Sequence, residues 1–435
     1  MNPPVVDFEE NELASYAYSY PHKSSYRPLD PPRPLDDVWQ DESRDRLALY
    51  AHIPFCEMRC GFCNLFTQSQ PEKELVENYL ATLRRQTCAV RERLGTVRFR
   101  GFAIGGGTPT WMSRENLSKL LEDVETTLDF SIRDVPTSVE TSPSTATPDR
   151  LQALAAFGVE RISIGVQSFN ATELGHMGRP QQLGQVLRAL TDIREAGFPV
   201  LNIDLIYGDT RQSMEDWTHS LEQALRFSPE EIYLYPLYVR PETGLARNGF
   251  AEHRSDLHRA GRDLLRDRGY RQMSLRCFRL PRIGETVDDG CQRDGMIGLG
   301  CGARSYTRAL HYSTRFAVTQ AGVRAILADW IRQSDIELGH ATHGIALSED
   351  EQRRRFLILG LLQATGMTIA DYKDRFDSTP DTDFPELAEL RRRAWLSDEP
   401  DRLVLTEQGL EKSDVIGPLL YSKLARARLQ EFVRL

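Results

Sequence analysis

The stretch that decides the fold is YAHIPFCEMRCGFCNLF, residues 50–66. Cys56, Cys60 and Cys63 stand in it as C-x3-C-x2-C. Three thiolates at this spacing on one loop can converge on a soft metal centre, and iron–sulfur clusters are held by cysteine thiolates. Three protein ligands on a four-iron cluster leave one iron open for another ligand. A zinc knuckle or three incidental thiols are the alternatives, although no fourth protein ligand follows at short spacing.

On both sides of this loop the sequence alternates between strand and helix patterns. Six segments read as strands: RLALYAHI (46–53), VRFRGFAIGG (97–106), TSVETS (137–142), RISIGVQSF (161–169), VLNIDLIYG (200–208) and EEIYLYPLY (230–238). Helices between consecutive strands require parallel, right-handed crossovers. Residues 161–169 and 200–208 are apolar at nearly every position, which predicts a sheet covered on both faces. We therefore expect an α/β fold, a partial (β/α)6 barrel of the TIM type.

The chain is expected to divide into four segments. Residues 1–45 are rich in proline and predict an extended arm, and residues 46–270 form the barrel. Residues 271–345 extend the barrel and close the active site, with a further strand at 270–281 and a tight glycine turn or ligand approach at 295–306. Residues 346–435 form a small helical, winged-helix-like module, in which 401–414 predicts a hairpin before a terminal helix. Its simplest role is to cap the barrel.

Composition narrows the functional classes. The chain has 435 residues, a formal net charge of −9, 27% charged and 40% hydrophobic residues, close to ordinary globular usage. The acidic balance argues against broad nucleic-acid binding. No apolar run is long enough for a membrane span, and the start MNPPVVDFEENELASY lacks a signal-peptide pattern. We expect a cytoplasmic monomer.

The cysteine loop HIPFC-x3-C-x-FC resembles that of the radical S-adenosylmethionine superfamily, in its oxygen-independent coproporphyrinogen III oxidase-like (HemN/HemW-like) branch. The resemblance implies that Cys56, Cys60 and Cys63 hold a [4Fe–4S] cluster whose open iron is chelated by S-adenosylmethionine. One electron then cleaves the cofactor to a 5′-deoxyadenosyl radical, which abstracts hydrogen. An external electron donor of the flavodoxin or ferredoxin type is also implied.

Further motifs match the branch in order, each at the end of a predicted strand, where the active sites of α/β barrels lie. By resemblance, a first S-adenosylmethionine contacts Tyr50, Gly106 and Glu140, and a second one contacts Phe62, Gly107, Thr108, Gln167, Arg179 and Asp204. Arg179 could pair with the carboxylate of the second molecule in a bidentate geometry. The alternatives are a simple turn for the glycines, a solvated face for Glu140 and a structural ion pair for Asp204.

One position departs from the oxidases proper, since Leu65 stands where they carry a further cysteine. The leading hypothesis is therefore methylation or cyclopropanation of an sp² carbon in an unsaturated or tetrapyrrole-like small molecule. Porphyrinogen oxidation and a heme-binding, chaperone-like role remain alternatives. His176 is a candidate acid/base because histidine titrates near neutrality. Cys88, Cys277, Cys291 and Cys301 are expected to be buried thiols, of which Cys301, in the glycine turn, is the candidate for a catalytic role.

Overall fold

The computed structural model describes residues 19–238, 245, 253–281, 295–397 and 399–433. In chain order its strands are β1 (Arg27–Pro34), β2 (Leu47–Ile53), β3 (Phe55–Cys56), β4 (Gln68–Ser69), β5 (Phe99–Gly106), β6 (Thr137–Thr141), β7 (Arg161–Gln167), β8 (Val200–Tyr207), β9 (Glu231–Pro236), β10 (Arg271–Gln272), β11 (Cys277–Arg279), β12 (Met296–Leu299), β13 (Arg304–Tyr306), β14 (Leu310–Ser313), β15 (His340–Ala346), β16 (Met367–Thr368) and β17 (Arg402–Leu403).

The described α-helices are numbered in chain order as well. They are α1 (Leu35–Val38), α2 (Lys73–Leu94), α3 (Arg114–Leu128), α4 (Pro148–Ala156), α5 (Ala171–His176), α6 (Leu183–Glu195), α7 (Met214–Leu225), α8 (Arg254–Asp267), α9 (Gln320–Ile331), α10 (Asp335–Leu338), α11 (Glu349–Leu361), α12 (Ile369–Phe376), α13 (Pro380–Asp383), α14 (Leu387–Arg392), α15 (Glu407–Glu411), α16 (Ser413–Leu419) and α17 (Lys423–Val433). Local sequence sets their starts: Ser113 and Ser213, for example, accept backbone N–H groups at the first turns of α3 and α7.

The six predicted strands lie side by side in chain order. Strands β2, β5, β6, β7, β8 and β9 are all parallel to one another, and at least one helix follows each of them before the next. Strand β12 adds to the free side of β2, again in parallel. In the described residues the edge strands β1 and β10 do not pair with each other, so the barrel stays open. The predicted partial barrel is thereby confirmed.

Both faces of β7 and β8 are largely buried, as the sequence predicts, but only one of them is apolar. Along β7 and β8 the apolar side chains, such as Ile162 and Ile203, alternate with polar ones, such as Ser163 and Asp204. The apolar set packs in the main hydrophobic core with the surrounding helices. The polar set lines the concave side, where Arg161 on β7 reaches across β8 to Glu231 on β9. The second face is therefore polar although it is buried, and the period-two alternation of apolar and polar residues in the sequence indicates this.

Outside the barrel, the chain departs from the expected pattern in three places. The further strand predicted at 270–281 is two short strands, β10 and β11. The glycine stretch 295–306 contains strand β12, a turn at Gly300 and Gly302 with positive φ, and strand β13. The predicted hairpin in 401–414 was wrong, because β17 pairs with the distant β16 and helix α15 follows. This pairing is long-range and is not visible in local patterning.

The N-terminal segment and the last segment pack together. Strand β1 pairs antiparallel with β15, and the Tyr20 side chain is buried in a second hydrophobic core built from α11 onward. The Tyr20 hydroxyl donates a hydrogen bond to Glu351, and the Ser422 backbone N–H donates to the Tyr20 oxygen at 3.1 Å. The C-terminal segment therefore has its own core and is anchored by the N-terminal segment.

Candidate functional site

The cysteine loop begins directly after β2, at the carboxyl end of the parallel strands. Residues Phe55–Cys56 pair with Gln68–Ser69, which closes the loop at its base. At its tip, the Gly61 N–H donates to the Met177 carbonyl at 3.1 Å, and a Cβ on Gly61 would lie 2.7 Å from that oxygen. Glycine therefore permits the loop to dock on the segment that follows α5.

The three loop thiols fit a polynuclear iron centre. Cys56, Cys60 and Cys63 are free of disulfides and partly buried. Burial, together with the smaller effect of the nearby Cys63 and Cys60 thiols, raises the pKa of Cys56 to about 12. Burial likewise raises the pKa of Cys63. Three partly buried thiolates need a compensating positive charge, which the irons of a cluster would supply.

The zinc alternative gains no support from the geometry. Within the described parts of the chain, no three His, Cys, Asp or Glu side chains are grouped closely enough to bind one metal ion. A structural zinc site needs four such ligands at about 2.0–2.3 Å from the ion.

The glycine turn at the end of β5 makes room for three different neighbours. A Cβ on Gly105 would lie 2.7 Å from the Glu140 Cδ, and one on Gly106 would lie 2.5 Å from the His52 ring. A Cβ on Gly107 would lie 2.5 Å from the Phe55 carbonyl oxygen and 2.9 Å from the Cys56 Sγ. Gly106 also has φ +113°, a conformation that side chains disfavour. The turn therefore packs directly against the cysteine loop. A simple turn would not require glycine at three successive positions for this close packing.

Glu140 faces an enclosed but water-accessible space. Its carboxylate accepts the Gly106 N–H at 3.1 Å, and desolvation by the surrounding barrel raises its pKa. More than a third of the residue nevertheless remains accessible. A carboxylate that is surrounded by protein atoms and still accessible to water lies at the wall of an internal space. Glu140 therefore belongs to the inner wall of the barrel rather than to an outer solvated face.

Asp204 lies on the same inner wall, one strand beyond β7. Its carboxylate accepts a hydrogen bond from the Asn202 side chain at 2.7 Å. Burial raises the pKa of Asp204 to about 7, and the Arg161 guanidinium only partly offsets this. Among the described residues, Asp204 and Arg161 form no salt bridge, because Arg161 pairs with Glu231. Arg161 therefore attracts Asp204 only at longer range, and the structural ion pair proposed as an alternative for Asp204 is not formed.

Gln167 ends β7 in an unusual conformation. It has φ +70°, and the pairing of β7 with β8 shifts register between Gly165 and Gln167, as in a β-bulge. A non-glycine residue in this region costs free energy, and such residues cluster at functional sites. A Cβ on Gly165 would lie 2.6 Å from the Gln167 amide nitrogen, so this side chain folds back over the strand.

Arg179 lies beside the cysteine loop. Its Nη1 donates to the Cys60 Sγ at 3.0 Å, and its Nη2 donates to the Gly165 carbonyl at 2.7 Å. Its Nε donates to the Gln181 side chain at 3.4 Å. The resemblance implied a carboxylate partner, whereas here the guanidinium contacts a cysteine sulfur. This sulfur contact was not visible in the sequence.

Tyr50 and His52 connect the strand to the loop. The Tyr50 hydroxyl lies 3.0 Å from the His52 Nδ1, and the His52 Nε2 lies 3.0 Å from the Phe66 carbonyl oxygen. Burial lowers the pKa of His52 to about 4, so the ring is neutral. His52 thus joins the two ends of the cysteine loop, and Thr108 donates to the Cys56 Sγ at 3.7 Å from the other side.

His176 forms a pair that the sequence did not reveal. Its Nδ1 lies 2.6 Å from the Asp209 carboxylate, which is only 3% exposed and also accepts the Arg211 N–H. Next to it, Phe62 packs on a small apolar cluster that includes Met177. The carboxyl ends of β7 and β8 bring this pair to the same end of the barrel as the cysteine loop.

The remaining cysteines differ from one another. Cys301 is fully buried in the main core, where its Sγ lies 3.7 Å from the Thr314 hydroxyl, and Cys277 is also buried. Cys88 is exposed, so the expectation that it is buried was wrong; it lies on the outward side of α2. Cys291 lies outside the described residues.

Comparisons with known proteins agree with this geometry. Residues 50–221 match the Radical SAM superfamily, and residues 347–411 match the HemN C-terminal domain. The heme chaperone HemW of Escherichia coli (strain K12) is 30% identical over 266 residues, 59% of this chain and 69% of the relative. The oxygen-independent coproporphyrinogen III oxidase of Bradyrhizobium diazoefficiens is 29% identical over 293 residues, 64% of this chain and 63% of the relative.

A mitochondrial protein and a solved structure extend the likeness over most of the chain. The radical S-adenosyl methionine domain-containing protein 1 of Bos taurus is 29% identical over 423 residues, 92% of both chains. The coproporphyrinogen III oxidase (HemN) from Escherichia coli superposes with a TM-score of 0.76 at 24% identity, over 91% of this chain and 96% of that one. No helix among the described residues has the length and apolarity needed to cross a bilayer.

Proposed function

The chain belongs to the radical S-adenosylmethionine superfamily, in its HemN/HemW-like branch, and we propose that Cys56, Cys60 and Cys63 hold its [4Fe–4S] cluster. Cluster and S-adenosylmethionine are the cofactors of this superfamily, and together they supply a 5′-deoxyadenosyl radical when bound. The observation that carries the proposal is the packing of the Gly105–Gly107 turn against the cysteine loop. An oxygen-sensitive cluster suits a reducing compartment, so we place the protein in the cytoplasm.

The first S-adenosylmethionine lies along the glycine turn. Gly106 contacts this molecule through its backbone, next to the Glu140 carboxylate that accepts its N–H. Glu140 attracts the ammonium of the methionine moiety or accepts from the ribose hydroxyls, since its carboxylate lines accessible space. Tyr50 lies on the neighbouring strand and turns its hydroxyl toward His52. Water is kept from the loop by Phe55 and Phe66, both buried.

The proposed reaction is the transfer of a carbon to an sp² centre. A second S-adenosylmethionine acts as the carbon source for methylation or cyclopropanation, and its contacts are Phe62, Gly107, Thr108, Gln167, Arg179 and Asp204. The substrate is an unsaturated, tetrapyrrole-like small molecule, as the names of the relatives suggest. Two residues on adjacent strands support this reaction: Gln167, which has a strained backbone, and Asp204, whose carboxyl is partly buried. Leu65, 43% exposed, replaces the extra cysteine of the oxidases proper and disfavours porphyrinogen oxidation.

A second candidate is a heme-binding, chaperone-like role with a regulatory cluster. It is favoured by the heme chaperone HemW of Bacillus subtilis, which is 27% identical over 387 residues and 98% of its own length. In that case the barrel would bind S-adenosylmethionine without sustained turnover.

Anaerobic incubation with a reductant and S-adenosylmethionine separates these roles. S-adenosylhomocysteine formed in proportion to 5′-deoxyadenosine supports carbon transfer, whereas 5′-deoxyadenosine alone contradicts it. Tight heme binding with negligible cofactor turnover would favour the chaperone role. Cys60→Ala should abolish the visible absorption of the cluster, with Cys88→Ala as the matched control because Cys88 is exposed on α2. Unchanged iron content in Cys60→Ala would refute the ligand assignment.

A further inference from the structure

The guanidinium of Arg179 is held in place by contacts from all three of its nitrogens. Nη2 donates to the backbone carbonyl of Gly165 at 2.7 Å, and Nε donates to the Gln181 side chain. Gln181 is itself fixed, because its amide donates to the Val166 carbonyl at 2.7 Å. These contacts leave Nη1 directed at the Cys60 Sγ, 3.0 Å away.

The contact joins a permanently charged guanidinium to a sulfur that the proposed function assigns to the cluster. Such a contact stabilises whichever state of an iron–sulfur centre carries more negative charge.

We propose that Arg179 is a positioning residue for the cluster and raises its reduction potential through the hydrogen bond to the Cys60 sulfur. The reaction that it favours is the uptake of one electron from an external donor, with no proton or bond exchanged. Hydrogen bonds to cluster sulfurs are among the features that set such potentials. The inference rests on the cluster assignment of the proposed function, but it does not need the second S-adenosylmethionine.

This role differs from the one that the resemblance implied. If Arg179 served only to bind the carboxylate of a second S-adenosylmethionine, replacing it would change nothing in protein free of that cofactor. The guanidinium has five N–H donors and these contacts use three, so a carboxylate could bind to the others without removing the contact to Cys60. The two roles therefore separate in a measurement made without S-adenosylmethionine.

The test is a redox titration of the full-length, cluster-loaded protein without S-adenosylmethionine, followed by electron paramagnetic resonance. Arg179→Gln should lower the ratio of reduced to oxidised cluster about tenfold at a fixed potential, which is about 59 mV for one electron. Arg179→Lys keeps the charge but loses the planar fork, so a smaller fall is expected. Arg59→Gln is the matched control, because Arg59 donates to the Cys63 carbonyl and not to a sulfur. Arg59 is also a partly buried positive charge beside the loop, so its replacement should lower the ratio by less than Arg179→Gln does.

Iron content and visible absorption, measured on each protein, separate the possible failures. Wild-type protein without a cluster would refute the proposed function itself. A loaded Arg179→Gln protein with the wild-type potential would overturn the role of Arg179 alone. If Arg179→Gln does not bind a cluster, the Arg179→Lys variant is used instead. The hydrogen bond would be overturned by two results together: a wild-type reduction potential in Arg179→Lys, and no exchangeable proton coupled to the reduced cluster of the wild-type protein.

Discussion

The Glu140 carboxyl occupies the space where a side chain on Gly105 would begin: a Cβ there would lie 2.7 Å from the Glu140 Cδ. Two of the residues implied to bind cofactor, Gly106 and Glu140, are joined by a hydrogen bond directly beside this contact. The glycine turn and the carboxylate are therefore one unit, built from the ends of two adjacent strands.

Gly105→Ala should push Glu140 away from the Gly106 N–H. Overpacking of this kind costs about 1–3 kcal/mol, and the displaced carboxylate should weaken S-adenosylmethionine binding as well. Chemical unfolding and equilibrium binding of S-adenosylmethionine measure the two effects. Gly175→Ala is the control, because a Cβ there meets nothing within 4 Å and a helical alanine is favourable. Equal affinity in both variants would show that Glu140 does not contact the cofactor.

The six strands and the cysteine loop were predictable because their signals are local. The alternation of strand and helix patterns along the chain predicts the six strands, and three cysteines within eight residues indicate the loop. The partners of Arg179 and His176 were not predictable, since Cys60 lies 119 residues and Asp209 33 residues away in the chain. The pairing of β16 with β17 was missed for the same reason. The contacts of Arg179 and His176 depend on which loops meet at the carboxyl ends of the strands, and this is set by the fold rather than by local sequence.

Asp204 should make stability depend on pH. Its pKa is raised by burial to about 7, against about 3.9 in an unfolded chain. Between about pH 4 and 7 the folded state holds the additional proton, so the free energy of unfolding falls as pH rises through this window and levels off above it. The loss is on the order of 2–4 kcal/mol, since one pKa unit is about 1.4 kcal/mol.

Asp204→Asn removes this titration while keeping the shape of the side chain. The stability of the variant relative to the wild type should therefore rise between about pH 4 and pH 7. Urea unfolding at several pH values measures the difference, and Asp149→Asn, at an exposed helix start, serves as the control. A difference that is flat across the window would mean that Asp204 is already ionised at low pH.

The C-terminal segment is joined to the barrel by a buried ion pair. Arg276 donates to Asp414 at 2.5–2.7 Å, the two side chains are 7% and 1% exposed, and Tyr238 also donates to Asp414. Asp414→Asn leaves the Arg276 charge poorly compensated, so we expect a loss of about 3–5 kcal/mol in unfolding free energy. Asp329→Asn breaks an exposed pair with Arg332 and should cost less than about 1 kcal/mol. Similar losses in both variants would contradict a structural role for the buried pair.

The candidate acid/base role of His176 makes a prediction that a purely structural role does not. Asp209 accepts from Nδ1 and so leaves Nε2 as the nitrogen available for proton transfer. His176→Gln should then lower turnover about 100-fold or more, the scale of general acid–base catalysis, while iron content and S-adenosylmethionine binding stay unchanged. Asp209→Asn keeps a partner for Nδ1 but removes the negative charge, so it should lower turnover less than His176→Gln does. If both variants lose stability in equal measure and keep the wild-type rate per folded molecule, the pair only joins the two loops.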